Sequence, residues 1–152
     1  MTIGLPRSGK STWAKTTGFP IVNPDAIRLA LHGQAFIKEA EPMVWTIARY
    51  AARSLFHAGH SIVILDATNT IQRNRNEWNC SDWQILYKCF KTDRSECIKR
   101  ALANKQDYLL PVIERMDRQM EWPDKELSEQ EEDLLVYRHA KDYLSTRAYR
   151  VE

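Results

Sequence analysis

Residues Gly4-Leu-Pro-Arg-Ser-Gly-Lys-Ser11 match G-x-x-x-x-G-K-[ST] at every fixed position. This loop works only between a strand and a helix, because its backbone N–H groups must turn inward around phosphate at the helix start. Gly4 and Gly9 permit that turn, and the helix that opens at Lys10 aims the positive end of its dipole at the same anion. Lys10 is expected on the β- and γ-phosphates of a nucleoside triphosphate, and the Ser11 hydroxyl on Mg²⁺. The stretch Gly4, Pro6, Arg7, Ser8, Gly9, Lys10, Ser11 and Thr12 is therefore read as the binding site for ATP with Mg²⁺.

The rest of the chain alternates strands and helices, as such a loop requires. Thr2-Ile3 reads as a short strand, Lys10 to Thr17 as the first helix, and residues 20–23 as a second short strand. Asn23-Pro24-Asp25 has the order of a helix start, with Asn as N-cap, Pro at the first position and an acid in the first turn. That helix should end near Gly33. Apolar residues at Val44, Ile47, Ala48, Ala51, Leu55 and Ala58 have helical spacing between Pro42 and Gly59. The run from Ser61 to Asp66 has the pattern of a strand buried on both faces of a parallel sheet. Residues 83–90 read as another strand, helices follow at 93–104, 111–121 and 127–145, and residues 148–151 as an edge strand. Together these predict an α/β P-loop kinase fold. A central parallel sheet has helices on both faces, with a helical lid at about 92–118 and an acidic helical tail at about 124–152. The absence of a linker or repeat predicts one domain over 1–152.

Composition bounds the function. With 43% hydrophobic and 28% charged residues, disorder is not the default, and no apolar run is long enough to span a membrane. Only Met1-Thr2-Ile3 precedes the glycine motif, which predicts no signal peptide and a cytoplasmic protein. The three cysteines, at 80, 89 and 97, form no C-x-x-C pair and read as reduced structural thiols. His57 and His60 lack carboxylate or thiolate companions at ligand spacing and read as the end of a helix. A net charge of +2 is too small to argue for a long nucleic-acid track. Residues 119–152 carry five basic and nine acidic side chains, against seventeen and eleven in residues 1–118. An acidic tail behind a mildly basic body suits an anionic substrate, and equally suits ordinary solvated surface.

Two acids follow strand ends at the edge where ligands bind in parallel sheets. Asp25 lies three residues before Arg28, so both project from one helix face. The carboxylate could take a proton from an attacking hydroxyl while Arg28 holds an anion. The plain alternative is a dipole-complementing acid with an ion-pair partner. Asp66, at the end of the buried run, could orient Mg²⁺ or its waters, or could cap the helix that begins near Ile71. Thr68, Asn69 and Arg73 are candidates for substrate contact. Arg94, Arg100 and Lys105 are candidate lid cations over the phosphates. The five tryptophans, at 13, 45, 78, 83 and 122, read mainly as core packing rather than as base-stacking platforms.

Gly4-Leu-Pro-Arg-Ser-Gly-Lys-Ser-Thr-Trp-Ala14, then Asn23-Pro-Asp-Ala-Ile-Arg28, then Asp66-Ala-Thr-Asn69, in that order, resemble the polynucleotide 5′-kinase family, over roughly residues 1 to 120. The resemblance implies transfer of the ATP γ-phosphate to a 5′-hydroxyl end of DNA or RNA. By motif match, Asp25 would be the general base, and Arg28 would hold the phosphate beside the acceptor nucleoside. The catalytic set is then Lys10, Asp25 and Arg28. The family has a lid arginine shortly before a Pro-containing helix; here that spacing before Pro111 falls on Lys105, with Arg100 and Arg94 upstream. A ligase or phosphatase partner would be a separate protein, and a homo-oligomer is left open. Two other functions fit the same residues: a small-metabolite, nucleoside or sugar-nucleotide kinase of the zeta-toxin kind, and an ATP-binding interaction module without turnover.

Overall fold

The structure is a computed structural model that describes residues 1–133 and Leu135. Strand β1 (Thr2–Gly4) leads through the glycine loop into helix α1 (Lys10–Thr16). Strand β2 (Ile21–Val22) leads into α2 (Pro24–His32), a 3-10 turn (Lys38–Ala40) and the long α3 (Glu41–His57). Strand β3 (Ile64–Leu65) and the short α4 (Gln72–Asn76) follow. Then come β4 (Lys88–Phe90), α5 (Arg94–Ala103), a second 3-10 turn (Asp107–Leu109) and α6 (Leu110–Arg118). Parallel strands alternating with helices bear out the α/β class. Backbone helix resumes at Glu129; the remainder of the expected helix to 145 and the edge strand at 148–151 lie outside the described residues.

The strands are shorter than their apolar runs. β1 pairs with β4 and β2 with β3, both parallel, so the backbone ladder breaks between β3 and β1 where a continuous central sheet is expected. Two side chains and one backbone bond close that seam. The fully buried Thr2 hydroxyl donates to the carbonyl of Ala67 at 2.9 Å and accepts from its N–H at 3.2 Å. The Asn69 amide donates to Thr2 O at 2.8 Å. Gly4 N–H donates to Thr68 O at 3.0 Å. Of the expected strand 83–90 only Lys88–Phe90 forms ladder, because Trp83 turns into a tryptophan cluster and donates its Nε1–H to Trp78 O at 2.9 Å.

Three small cores hold the layers. Val22 and Leu65 meet Ala48 and Ala52 of α3 and the buried Trp78. Leu5, Cys97, Ala101 and Ile113 lock α5 and α6 beneath the glycine loop. Ala14, Phe19 and Ile64 are covered by Leu135, behind the loop helix. Each fully buried aliphatic side chain contributes about 1.5–3 kcal/mol.

Candidate active site

The glycine loop forms as its residues demand. Gly4 has φ +156° and Gly9 φ +104°, and Arg7 adopts a left-handed φ of 67° between them. A Cβ on Gly4 would stand 2.8 Å from both Phe90 O and Ser8 Oγ, so the loop lies tightly on β4. Ser11 and Thr12 are exposed at the start of α1, where the first N–H groups have no carbonyl one turn back. Lys10 is 6% exposed, and its ammonium donates to Leu5 O at 2.6 Å and to Ser8 Oγ at 3.3 Å. Burial pushes its pKa down to about 8 against the opposing pull of Asp66, then Cys97, then Asp25. Both acids thus lie within electrostatic reach of the loop lysine.

Asn23 joins the two acid-bearing strand ends. Its Oδ1 accepts the N–H of Ala26 at 2.9 Å and caps α2, while its Nδ2 donates to Asp66 Oδ2 at 3.0 Å. Pro24 and the left-handed Gly33 bound α2 as expected. Asp66, 4% exposed, does not cap the following helix; Glu121 does, accepting Gln72 N–H at 2.5 Å. Asp25 stands on the surface with its side chain 78% exposed, and Arg28 Nη1 holds its Oδ1 at 2.5 Å. Arg28 is itself gripped by Glu41, through Nε–Oε1 at 2.7 Å and Nη2–Oε2 at 2.6 Å. The Trp45 Nε1–H donates to the same carboxylate at 3.1 Å. Hydrogen bonding to Glu41 raises the Arg28 pKa, and the same bond lowers that of Glu41. The geometry leaves Asp25 as the open end of an oriented relay: Trp45, Glu41, Arg28, Asp25.

Several expected contacts are placed elsewhere. Asn69, with φ 46° and 8% exposure, belongs to the β1–β3 seam, and its carbonyl accepts from Arg75 at 2.9 Å. Arg75, not Arg73, is the built-in arginine of α4: it is 2% exposed and lies over the Tyr87 ring, whereas Arg73 is exposed. Thr68 serves the seam with its carbonyl and keeps a half-buried side chain. Of the lid cations, Arg100 reaches the loop, donating from Nη1 to Arg7 O at 3.2 Å and from Nε to Glu96 at 2.8 Å. Arg7 Nε donates to Gln106 at 2.6 Å, a second tie between the α5–α6 segment and the loop. Arg94 pairs with Asp117 at 3.4 Å, and Lys105 is exposed with φ 54°.

Asn23 and Glu41 are the residues that sequence reasoning passed over as site components. Asn at the N-cap was a usable signal, because an amide accepts and donates at once. Glu41 carried none, since its partner sits thirteen residues away across a helix–helix contact.

Residues 1–123 match the model of the AAA domain family. The chain belongs to that family. Two solved structures share its fold. One, a structure of a Pnkp1/Rnl/Hen1 complex, is 26% identical, with a TM-score of 0.58 over 65% of this chain and 37% of that one. Another, of the Pnkp1/Rnl/Hen1 RNA repair complex, is 15% identical, with a TM-score of 0.60 over 84% and 49%. This chain spans half or less of the length of those it matches. The domain is of the P-loop, polynucleotide kinase type, as the motifs imply. No helix among the described residues is long and apolar enough to cross a membrane.

Proposed function

We propose that this domain transfers the γ-phosphate of ATP to a 5′-hydroxyl end of DNA or RNA. The observation that carries the reading is the exposed Asp25 carboxylate, held at 2.5 Å by a clamped arginine and within electrostatic reach of the loop lysine. A protein that only bound ATP would have no use for an oriented, solvent-facing base there. The residues fit the nucleotide: a glycine cradle, a buried ammonium, and the free N–H groups that open α1. They also fit Mg²⁺, through the Ser11 hydroxyl and the buried Asp66; the ion would neutralise charge on the donor phosphates.

In this reading Asp25 accepts the proton of the acceptor hydroxyl as that oxygen bonds to the γ-phosphorus and the bond to the bridging oxygen breaks, leaving ADP. Lys10 offsets charge on the phosphates, and Arg100 closes over them from the lid. Arg28, itself held by Glu41, positions Asp25. The 26% identical neighbour is seen in a complex with Rnl and Hen1, which supports action beside separate repair proteins such as a ligase or phosphatase.

The test is γ-phosphate transfer from labelled ATP to 5′-hydroxyl oligonucleotides, a nucleoside 3′-monophosphate, free nucleosides and sugars. Labelling of the oligonucleotides and the 3′-monophosphate, lost in Asp25→Ala while ATP affinity is kept, supports the proposal. Labelling of nucleosides or sugars alone would sink it. ATP binding with no transfer to any acceptor would point to an interaction module.

A further inference from the structure

Helix α3 carries one side-chain stripe at four-residue steps: Glu41, Trp45, Arg49 and Arg53. Its N-terminal end is the Arg28–Glu41 clamp, so the stripe starts at the candidate acceptor site. Along it an arginine meets a tryptophan face three times. Arg28 lies 5.8 Å over Trp45, Arg49 5.9 Å over Trp78, and Arg53 5.9 Å over Trp83. The rings themselves are continuous: Trp45 to Trp78 at 6.4 Å and Trp78 to Trp83 at 6.4 Å. A guanidinium stacked on a ring keeps its N–H edge free for an anion.

We infer that this ladder is the track for the acceptor strand beyond its first nucleotide, with Arg49 and Arg53 taking successive phosphates. The inference rests on the polynucleotide reading given above and narrows it: the preferred acceptor is a single-stranded oligonucleotide, not a mononucleotide. Four residues advance about 6 Å along a helix, a step comparable to the separation of neighbouring phosphates in an extended single strand. Arg49 and Arg53 side chains are 42% and 47% exposed, over the buried Trp78 and the half-buried Trp83. Arg49 buries its Nε and donates weakly from Nη1 to Glu77 O at 3.5 Å, so its open part is the outer end of the guanidinium. Their acid partners are weak competitors. Glu77 stands 3.6 Å from Arg49, and Asp82, at 2.6 Å from Arg53, is itself 45% exposed. Exposed ion pairs of this kind contribute little and yield to a polyanion.

The test compares wild type with the Arg49→Gln/Arg53→Gln double variant on 5′-hydroxyl acceptors of one, two, three and six nucleotides. Wild type should show KM falling about tenfold as the acceptor lengthens. The double variant should lose that gain, with kcat and the mononucleotide KM unchanged. Anisotropy of a fluorescein-labelled single-stranded hexamer gives a readout independent of activity. There the double variant should bind about tenfold more weakly, with a salt slope flatter by roughly 1.4 for two lost phosphate contacts. Asp82→Asn, which frees Arg53, should bind the hexamer more tightly, a gain that misfolding cannot produce. Equal hexamer binding by wild type and the double variant would overturn the inference and leave the ladder as a protein-contact or packing feature. Labelling of no acceptor, with hexamer binding still lost in the double variant, would overturn the kinase reading and keep the track.

Discussion

Replacing Glu41 by Gln tests whether the Arg28 clamp is what orients the base. Glu41 accepts three hydrogen bonds, two from Arg28 and one from Trp45. The clamp is largely shielded, with Arg28 and Glu41 side chains 11% and 19% exposed. Gln keeps the volume but offers the guanidinium one acceptor in place of two and removes the charge. Breaking a buried pair costs about 3–5 kcal/mol. The remaining exposure and the surviving bond to Asp25 reduce this to about 2 kcal/mol, or roughly 4–8 °C in Tm for a domain of this size. The measurement is a thermal double-mutant cycle of Glu41→Gln with Arg28→Gln, where a coupling energy of about 1–2 kcal/mol is expected. In the transfer assay, Glu41→Gln should lower kcat more than it raises KM for ATP, because Asp25 loses its anchor while the glycine loop is untouched. The pH dependence has a fixed sign. Arg28 holds the Glu41 carboxyl below its usual range, so its stabilisation is complete above the unfolded-state pKa and is lost as pH falls through the lowered folded value. The Tm gap between wild type and Glu41→Gln should therefore close below about pH 4. A coupling energy under about 0.5 kcal/mol, or a gap that widens in acid, would refute the clamp.

Gly4→Ala should destabilise the protein by at least about 2 kcal/mol in urea unfolding, since the new Cβ meets Phe90 O and Ser8 Oγ at 2.8 Å on a backbone of positive φ. Lys10→Met should abolish transfer yet raise the unfolding midpoint. Burial depresses the lysine pKa to about 8, a penalty of about 3 kcal/mol on the charged form, of which about 1–2 kcal/mol survives the loss of two hydrogen bonds. By the same sign, the stability advantage of Lys10→Met over wild type should shrink as pH climbs above about 8, because the wild-type lysine then sheds its buried charge. Iodoacetamide near neutral pH should alkylate Cys80 alone, read by mass spectrometry. Burial and then Glu126 push the Cys89 thiol up to about 12, burial raises Cys97, and Cys80 is exposed and free. Labelling of Cys89 at the rate of Cys80 would contradict that burial.

What the sequence disclosed about this site depends on how local each signal was. The glycine loop and the α2 start were legible because each is a contiguous pattern whose geometry its own residues dictate: Gly9 supplies the positive φ, and Asn23 and Pro24 the cap. The strands were legible in kind but not in extent. Apolar runs report burial, and around Trp78 and Trp83 burial is achieved by a loop folded onto α3 rather than by a ladder. The β1–β3 seam was not legible at all, since a buried threonine that bridges two strands looks the same in sequence as one that merely tolerates a strand. The acidic tail shows the same difficulty for charge. Counted along the chain it is a solvated run, yet in the fold Glu126 pairs with Lys91 at 2.5 Å, and Glu132 joins both Lys88 and the Trp13 indole. Glu126 and Glu132 therefore fasten their segment to Lys91, to β4 and to the loop helix, so that part of the body's surplus of basic charge is cancelled there. What remains uncommitted to an internal acid at the candidate acceptor edge is narrow. Glu41 neutralises Arg28, and Asp25 faces outward. On the proposed reading, specificity for an anionic acceptor draws on cations beyond the clamp, and the half-exposed Arg49 and Arg53 are committed only to the exposed acids Glu77 and Asp82.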